Sequence, residues 1–197
     1  MAVHKLLLCP VDPDCPATDT GNLAGCLQAA GLAGDAVSLG TATIYPAGEQ
    51  FLQLLSFLGC SPAIELDLPG DAGERATACA TGQVCHIRIS QTGSTPRFRA
   101  DSRLTAPRCP ACRQPVEDWE TRIEAWRSNP ADSGWQCSRC DHRGRVFDLN
   151  FRKSAGFGHT FIEIWGIHPN EAVPVTALLV TLQELSGCEW KTLYVKD

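Results

Sequence analysis

Apolar positions recur along the chain with two periods, and the switches between them lay out the elements. The apolar segment at 3–9 predicts a short buried strand. Leu23, Cys26, Leu27 and Ala30 fall at i, i+3, i+4 and i+7, a helical stripe that Asp19 or Thr20 caps. Phe51, Leu54, Leu55 and Leu58 repeat the stripe over 49–58, with Gly59 as its stop. Strands are predicted at 41–45, 63–68 and 84–90, where β-branched types or alternation prevail. The Gly- and Ala-rich stretch 69–82 reads as a surface loop.

The second half has the same grammar. Strands are predicted at 145–151, 160–167 and 190–195, with the glycines of 154–158 as a turn between the first two. Val175, Leu178, Leu179, Leu182 and Leu185 line one side of a helix over 174–186, and Gly187 caps it. Segments 44–68 and 167–195 each read Ile-x-Pro, amphipathic helix, Gly-Cys, strand, which suggests two related strand–helix–strand halves. The expected fold is therefore α+β: a mixed sheet with about three helices. Residues 1–104 and 146–197 form its body, and 105–145 form an insertion bounded by Pro107 and Pro110.

Eleven cysteines in 197 residues decide the chemistry. Seven of them, Cys9, Cys15, Cys26, Cys60, Cys79, Cys85 and Cys188, follow no ligand spacing; Cys26, Cys60 and Cys188 read as small core residues beside helices. The other four are Cys109 and Cys112 in CPAC and Cys137 and Cys140 in CSRC, a C-x2-C-x24-C-x2-C pattern. Chance supplies about 0.6 C-x2-C pairs at this cysteine content, so one pair would say little and two say more. Two intervening residues form a tight knuckle that aims both thiolates at one ion, and two knuckles complete a tetrahedron. Pro110 stiffens the first, Trp135 precedes the second and Gly144 permits a turn after it. His142 is a weaker candidate ligand, read as a histidine outside the coordination sphere.

Through CPAC and WQCSRCDHRG the chain resembles the zinc-ribbon class of four-cysteine modules over about a fifth of its length. That resemblance implies one structural Zn²⁺ per chain held by Cys109, Cys112, Cys137 and Cys140, although iron also suits four sulfurs. Where many ribbons have Gly after each pair, this chain has Arg113 and Asp141. A helix is also predicted between the knuckles, with Asp118 as cap and Trp119, Ile123 and Trp126 on one side. The segments EQFLQLLSFLGC and FIEIWGIHPNEAVP are similar to small bacterial proteins with a mid-chain Cys-x2-Cys pair, a likeness that brings no activity and no site residues.

The formal charge of −5 speaks against nucleic-acid binding by the whole chain, but the charge is uneven. Residues 1–100 carry 5 Lys/Arg against 9 Asp/Glu, 101–153 carry 10 against 8, and 154–197 carry 2 against 5. Arg97, Arg99, Arg103, Arg108, Arg113, Arg139, Arg143 and Arg145 crowd the knuckles and suit phosphate or carboxylate.

No apolar run reaches the length of a membrane span, and the patch at 6–9 is short for a signal peptide, so a reducing cytoplasm is the expected setting. P-loop, dinucleotide-binding, zincin and nucleophile-elbow motifs are missing. Three readings follow. The first is a non-enzymatic adaptor with a protein partner, anchored by Trp119, Trp126 or Trp135. The second is a nucleic-acid- or ribosome-associated protein using the arginines. The third is an enzyme with a pocket between the halves, drawing on His86, His159 or Glu163, or on Cys85 paired with a histidine.

Overall fold

The computed structural model describes residues 3–58 and 64–197. Cys60, the Gly59 stop and the start of the strand predicted at 63–68 lie outside them.

A six-stranded sheet organises the chain. Strands β1 (His4–Pro10), β2 (Val37–Leu39), β3 (Ala42–Pro46), β5 (His86–Gln91), β10 (Thr160–Trp165) and β12 (Trp190–Lys196) stand in the order β12-β1-β10-β5-β3-β2. Every neighbouring pair is antiparallel. The α+β class is as expected, but the sheet is antiparallel where the sequence predicts a mixed one. The parallel Glu65↔Val84 pairing is an isolated bridge, the one trace of the strand expected at 63–68 among the described residues.

One face of the sheet is covered by α1 (Thr20–Ala29) and α5 (Thr176–Ser186). Leu6, Leu8, Ile87, Ile162 and Ile164 from the strands meet Leu23, Leu27, Leu178 and Leu182 from the helices, all essentially without solvent contact. Asp19 caps α1 by accepting the Asn22 amide, and Gly187 ends α5 in the left-handed conformation. Both signals are readable in the sequence.

Four local readings are corrected. Residues 69–82 are not a loop: Asp71 accepts the amides of Gly73 and Glu74 and starts α3 (Ala72–Thr81), which Gly82 ends with φ +67°. Only Cys79 of this helix is fully buried, so there was no apolar stripe to find. The helix expected over 49–58 is a single turn, α2 (Phe51–Leu54). The chain then extends as β4 (Leu55–Phe57) to pair with β11 (Ala172–Pro174). That difference also separates the two supposed halves, since α5 runs eleven residues and α2 four.

The turn expected at 154–158 is strand β9 (Ala155–Gly158), paired with β6 (Arg97–Ala100). Its glycines serve close packing: a Cβ on Gly156 would stand 2.8 Å from Leu193 Cδ1. Finally, 145–151 is not a strand but a 3₁₀ turn, Val146–Asp148, closed by the Arg145 amide donating to Asp148. With α4 (Trp119–Ser128) the described residues hold five α-helices, against about three expected.

The opposite face of the sheet is divided. At one end Leu7, Cys9, Phe161, Leu193 and Val195 form an apolar patch, and β9 lies against β1 and β12 there. At the other end Ile44, Val84 and Cys79 pack together under α3. Between them runs a polar strip.

Cys188 is not the small core thiol expected from sequence. It is disulfide-bonded to Cys15, tying the loop after β1 to the start of β12 across 173 residues of chain. Closing so long a loop restricts the unfolded chain strongly, so reduction, or Cys188→Ser, is expected to lower stability by about 2–4 kcal/mol in urea unfolding. Equal stability with and without reductant would refute this.

Candidate metal centre

The two knuckles are built alike. The Arg113 amide donates to the Cys109 carbonyl and the Cys109 amide to that of Gln114; in the second, the Asp141 amide donates to Cys137 and the Cys137 amide to His142. The second knuckle is the turn between β7 (Gly134–Gln136) and β8 (Arg143–Arg145), and an Arg108↔Pro115 bridge flanks the first. A Cβ on Gly144 would meet Asp148 Oδ2 at 2.9 Å, so the carboxylate that closes the following turn would have to shift.

Where many ribbons place glycine, Arg113 and Asp141 adopt φ +62° and +58°. Both stand in the left-handed conformation that glycine takes without strain. Arg113→Gly should therefore hold or raise stability, by up to about 1 kcal/mol in chemical denaturation, because the backbone contacts of the knuckle do not need the side chain. A loss of that size would show that the arginine packs.

The four sulfurs lie within 4.8 Å of one another, and among the described residues no other such cluster of metal-ligating side chains occurs. Contacts run across the knuckles, Cys109 Sγ to Cys140 Sγ at 3.9 Å and Cys112 Sγ to Cys137 Sγ at 3.8 Å. A tetrahedron with metal–sulfur bonds of about 2.3 Å has edges of about 3.8 Å, so the donor set fits one ion of zinc size. The Arg139 amide, donating to Cys137 Sγ at 3.4 Å, lowers that thiol to about 7, while desolvation and the neighbouring sulfurs push Cys140 up to about 12. Four protein sulfurs could hold a metal ion and would fill a tetrahedral shell. His142 stands aside, its ring edge-on to Trp135.

Beneath the knuckles lies a core of its own. Cys109 and Cys137 join Val116, Ile123, Trp126 and Trp135, together with Val146, Leu149, Phe151 and Phe157 from the segment that follows. Trp126 and Trp135 are 2% and 5% exposed, and Trp119 is half-buried against Phe151. Two of the three tryptophans considered as surface anchors thus pack inward.

The arginines divide into two groups. Arg99 donates to Glu163 at 3.1 Å, and Arg145 pairs with Asp14. Arg97, Arg103, Arg108, Arg113, Arg139 and Arg143 are exposed and form no ion pair among the described residues.

Other sequence candidates do not converge. Burial pushes the Cys85 thiol up to about 12, and it faces the Gly166 carbonyl. His159 holds the Gly93 carbonyl, and His168 stacks on His4. His86 is wholly buried. Arg88 Nε donates to its Nε2 at 3.1 Å, so Nδ1 carries the proton given to the Val84 carbonyl.

Burial lowers His86 to about 4, below the 6.5 of an exposed histidine. The unfolded chain therefore takes up this proton first. Stability is full above pH 6.5 and falls by up to about 3 kcal/mol toward pH 4. His86→Gln should flatten that acid limb in denaturation curves; an unchanged limb would assign it to another group.

No helix among the described residues is long and apolar enough to cross a membrane. Compared with models of known protein families, with curated proteins and with solved structures, the chain matches none.

Proposed function

We propose that this chain is a zinc-binding, non-enzymatic interaction module, in which one structural Zn²⁺ held by Cys109, Cys112, Cys137 and Cys140 locks a ribbon-like unit around residues 105–145 onto the sheet body. The carrying observation is the match between the cross-knuckle sulfur spacings, 3.8 and 3.9 Å, and the edge of a zinc–thiolate tetrahedron. Four sulfurs leave no open position for water, so the ion stabilises structure instead of activating a substrate. Zinc is preferred to iron because no feature of the site serves electron transfer. The body and ribbon division, a cytoplasmic setting and a protein partner belong to the same reading. Such a setting keeps the four thiols reduced, and the Cys15–Cys188 bond is the observation that weighs against it.

Metal analysis of the purified full chain should return one zinc per chain, released by a chelator with loss of the ribbon's near-ultraviolet signal. Iron in its place, or a metal-free protein with that signal intact, would overturn the reading. With Trp126 and Trp135 buried, the partner surface in this reading falls to the exposed arginines at the knuckle end. Arg139→Glu with Arg143→Glu should then abolish partner capture while zinc content stays at one.

A second reading, nucleic-acid or ribosome association, is favoured by one observation: Arg108, Arg113, Arg139 and Arg143 are exposed without acidic partners among the described residues. Against it stand the net charge of −5 and the charge of −2 on a zinc tetrathiolate, which these arginines offset. Nucleic-acid binding would weaken by orders of magnitude with rising salt. Salt-independent or undetectable binding to DNA and RNA removes it.

A further inference from the structure

The polar strip on the sheet holds a second site, unrelated to the cysteines. Glu163, only about 5% exposed, is held on one oxygen: Ser90 Oγ and Arg99 Nη1 donate to its Oε1 at 3.0 and 3.1 Å, while Lys5 Nζ lies 3.8 Å from Oε2. Lys5 also pairs with Asp197. Arg88 is different. Its guanidinium lies over the Trp165 ring at 4.1 Å and its Nε is engaged by His86, yet it forms no ion pair among the described residues.

Counting Lys5, Arg88 and Arg99 against Glu163 and Asp197 leaves one positive charge, and Arg88, directly across the strands from Glu163, is the cation of the three without a close ion pair. It is also held in place. His86 is buried, neutral and fixed by the Val84 carbonyl, and its Nε2 orients the guanidinium through Nε. The two Nη groups remain as a planar fork.

Arg88 and Glu163 both line a cavity of about 470 Å³. Strand pairing explains why it opens there. β3 and β5 are in register only at Tyr45↔Ile87 and Pro46↔His86, and beyond Ile87 the cavity is lined by both strands, with Thr41 and Thr43 on one side and Arg88 and Ser90 on the other. Trp165 lines it too, and its indole N–H is buried with no acceptor among the described residues. The Arg88 fork thus shares one hollow with the Glu163 carboxylate, whose Oε1 is already taken by Ser90 and Arg99.

We propose that this cavity between β3 and β5 binds a small organic acid through its carboxylate, held bidentate by the Arg88 fork. The charge balance selects the class. One positive charge beside Glu163 suits a singly charged carboxylate, and a doubly charged phosphate would face that carboxylate with no second cation in the cavity lining. Thr41 and Thr43 are placed to meet polar groups on the rest of the molecule, and Trp165 to meet a flat or apolar part.

The test is a titration of the whole chain as purified, followed by NMR at arginine Nε–H and tryptophan indole N–H signals. Probes are pyruvate and benzoate, with inorganic phosphate and chloride at equal ionic strength. A saturable shift of the Arg88 and Trp165 signals with a carboxylate, leaving Trp126 and Trp135 unmoved, is the expected result. Arg88→Gln should abolish it, and Arg88→Lys, which keeps the charge but not the fork, should weaken it about tenfold. If Arg88→Gln fails to fold, the wild-type comparison of probes decides alone. No saturable shift, equal response to chloride, tighter binding of phosphate, or retained affinity in Arg88→Gln each overturns the proposal. None of these outcomes depends on whether the four-cysteine site holds zinc.

Discussion

Substituting Cys137 by Ser is expected to empty the four-thiol site and to unfold the ribbon while the six-stranded sheet persists. The two parts rest on different cores. Around the knuckles, Trp126, Trp135, Val116 and Ile123 pack beneath one hairpin only three residues deep, joined by Val146, Leu149, Phe151 and Phe157, and Cys109 and Cys137 are themselves part of that core. Because two of the four ligand cysteines sit inside that core, losing the metal cross-link opens the core along with the knuckles. Structural zinc supplies about 10–16 kcal/mol of apparent binding energy in small modules, and most of it is lost with one ligand. The sheet, by contrast, is filled by Leu6, Leu8, Leu27, Phe51, Ile162 and Ile164, none more than 1% exposed. Hydrogen exchange reads the two separately. Amides of Arg113, Cys137 and Asp141 should lose protection, and those of β1 and β10 should keep it. Full protection of the knuckle amides in the metal-free variant would refute a metal-dependent ribbon.

The second large effect is expected at the polar strip. Glu163→Ala should destabilise the fold by about 3–4 kcal/mol in urea unfolding, because it strands Lys5 and Arg99 beside a buried face. The loss stays at the lower end of that for broken buried pairs, since Lys5 retains Asp197. Glu163→Ala combined with Arg99→Leu should recover part of the loss, because the orphaned charge goes too. A single substitution costing less than about 1 kcal/mol would mean that solvent already screens the cluster.

Legibility in the sequence depended on whether a residue's partners were close along the chain. The stripe of Leu23 and Leu27, the Asp19 cap and the Gly187 stop are local events within one helix, and each stands where periodicity places it. The spacing of Cys109, Cys112, Cys137 and Cys140 is likewise local to each knuckle, so spacing alone groups the four that converge in space. Even the missing glycines are informative, since Arg113 and Asp141 adopt the backbone that glycine would have taken.

What stayed hidden was set by distant partners. Gly156 reads as a turn residue because nothing nearby in sequence reveals Leu193 pressing on it. Leu55–Phe57 follows a helical stripe, but Ala172–Pro174, far along the chain, captures it as a strand. Cys188 reads as packing material until the fold brings Cys15 beside it. The Arg88 fork has no motif at all. By itself the sequence determined the faces of α1 and α5, the Asp19 and Gly187 caps and the identity of the four clustered sulfurs, because these are short-range consequences of side-chain type and spacing. Only the tertiary structure decided which thiols meet across the knuckles, which arginines are neutralised and where the sheet parts to leave a charged hollow. Those depend on contacts closed through space, and their free energy appears only once the entropy cost of closing them has been met.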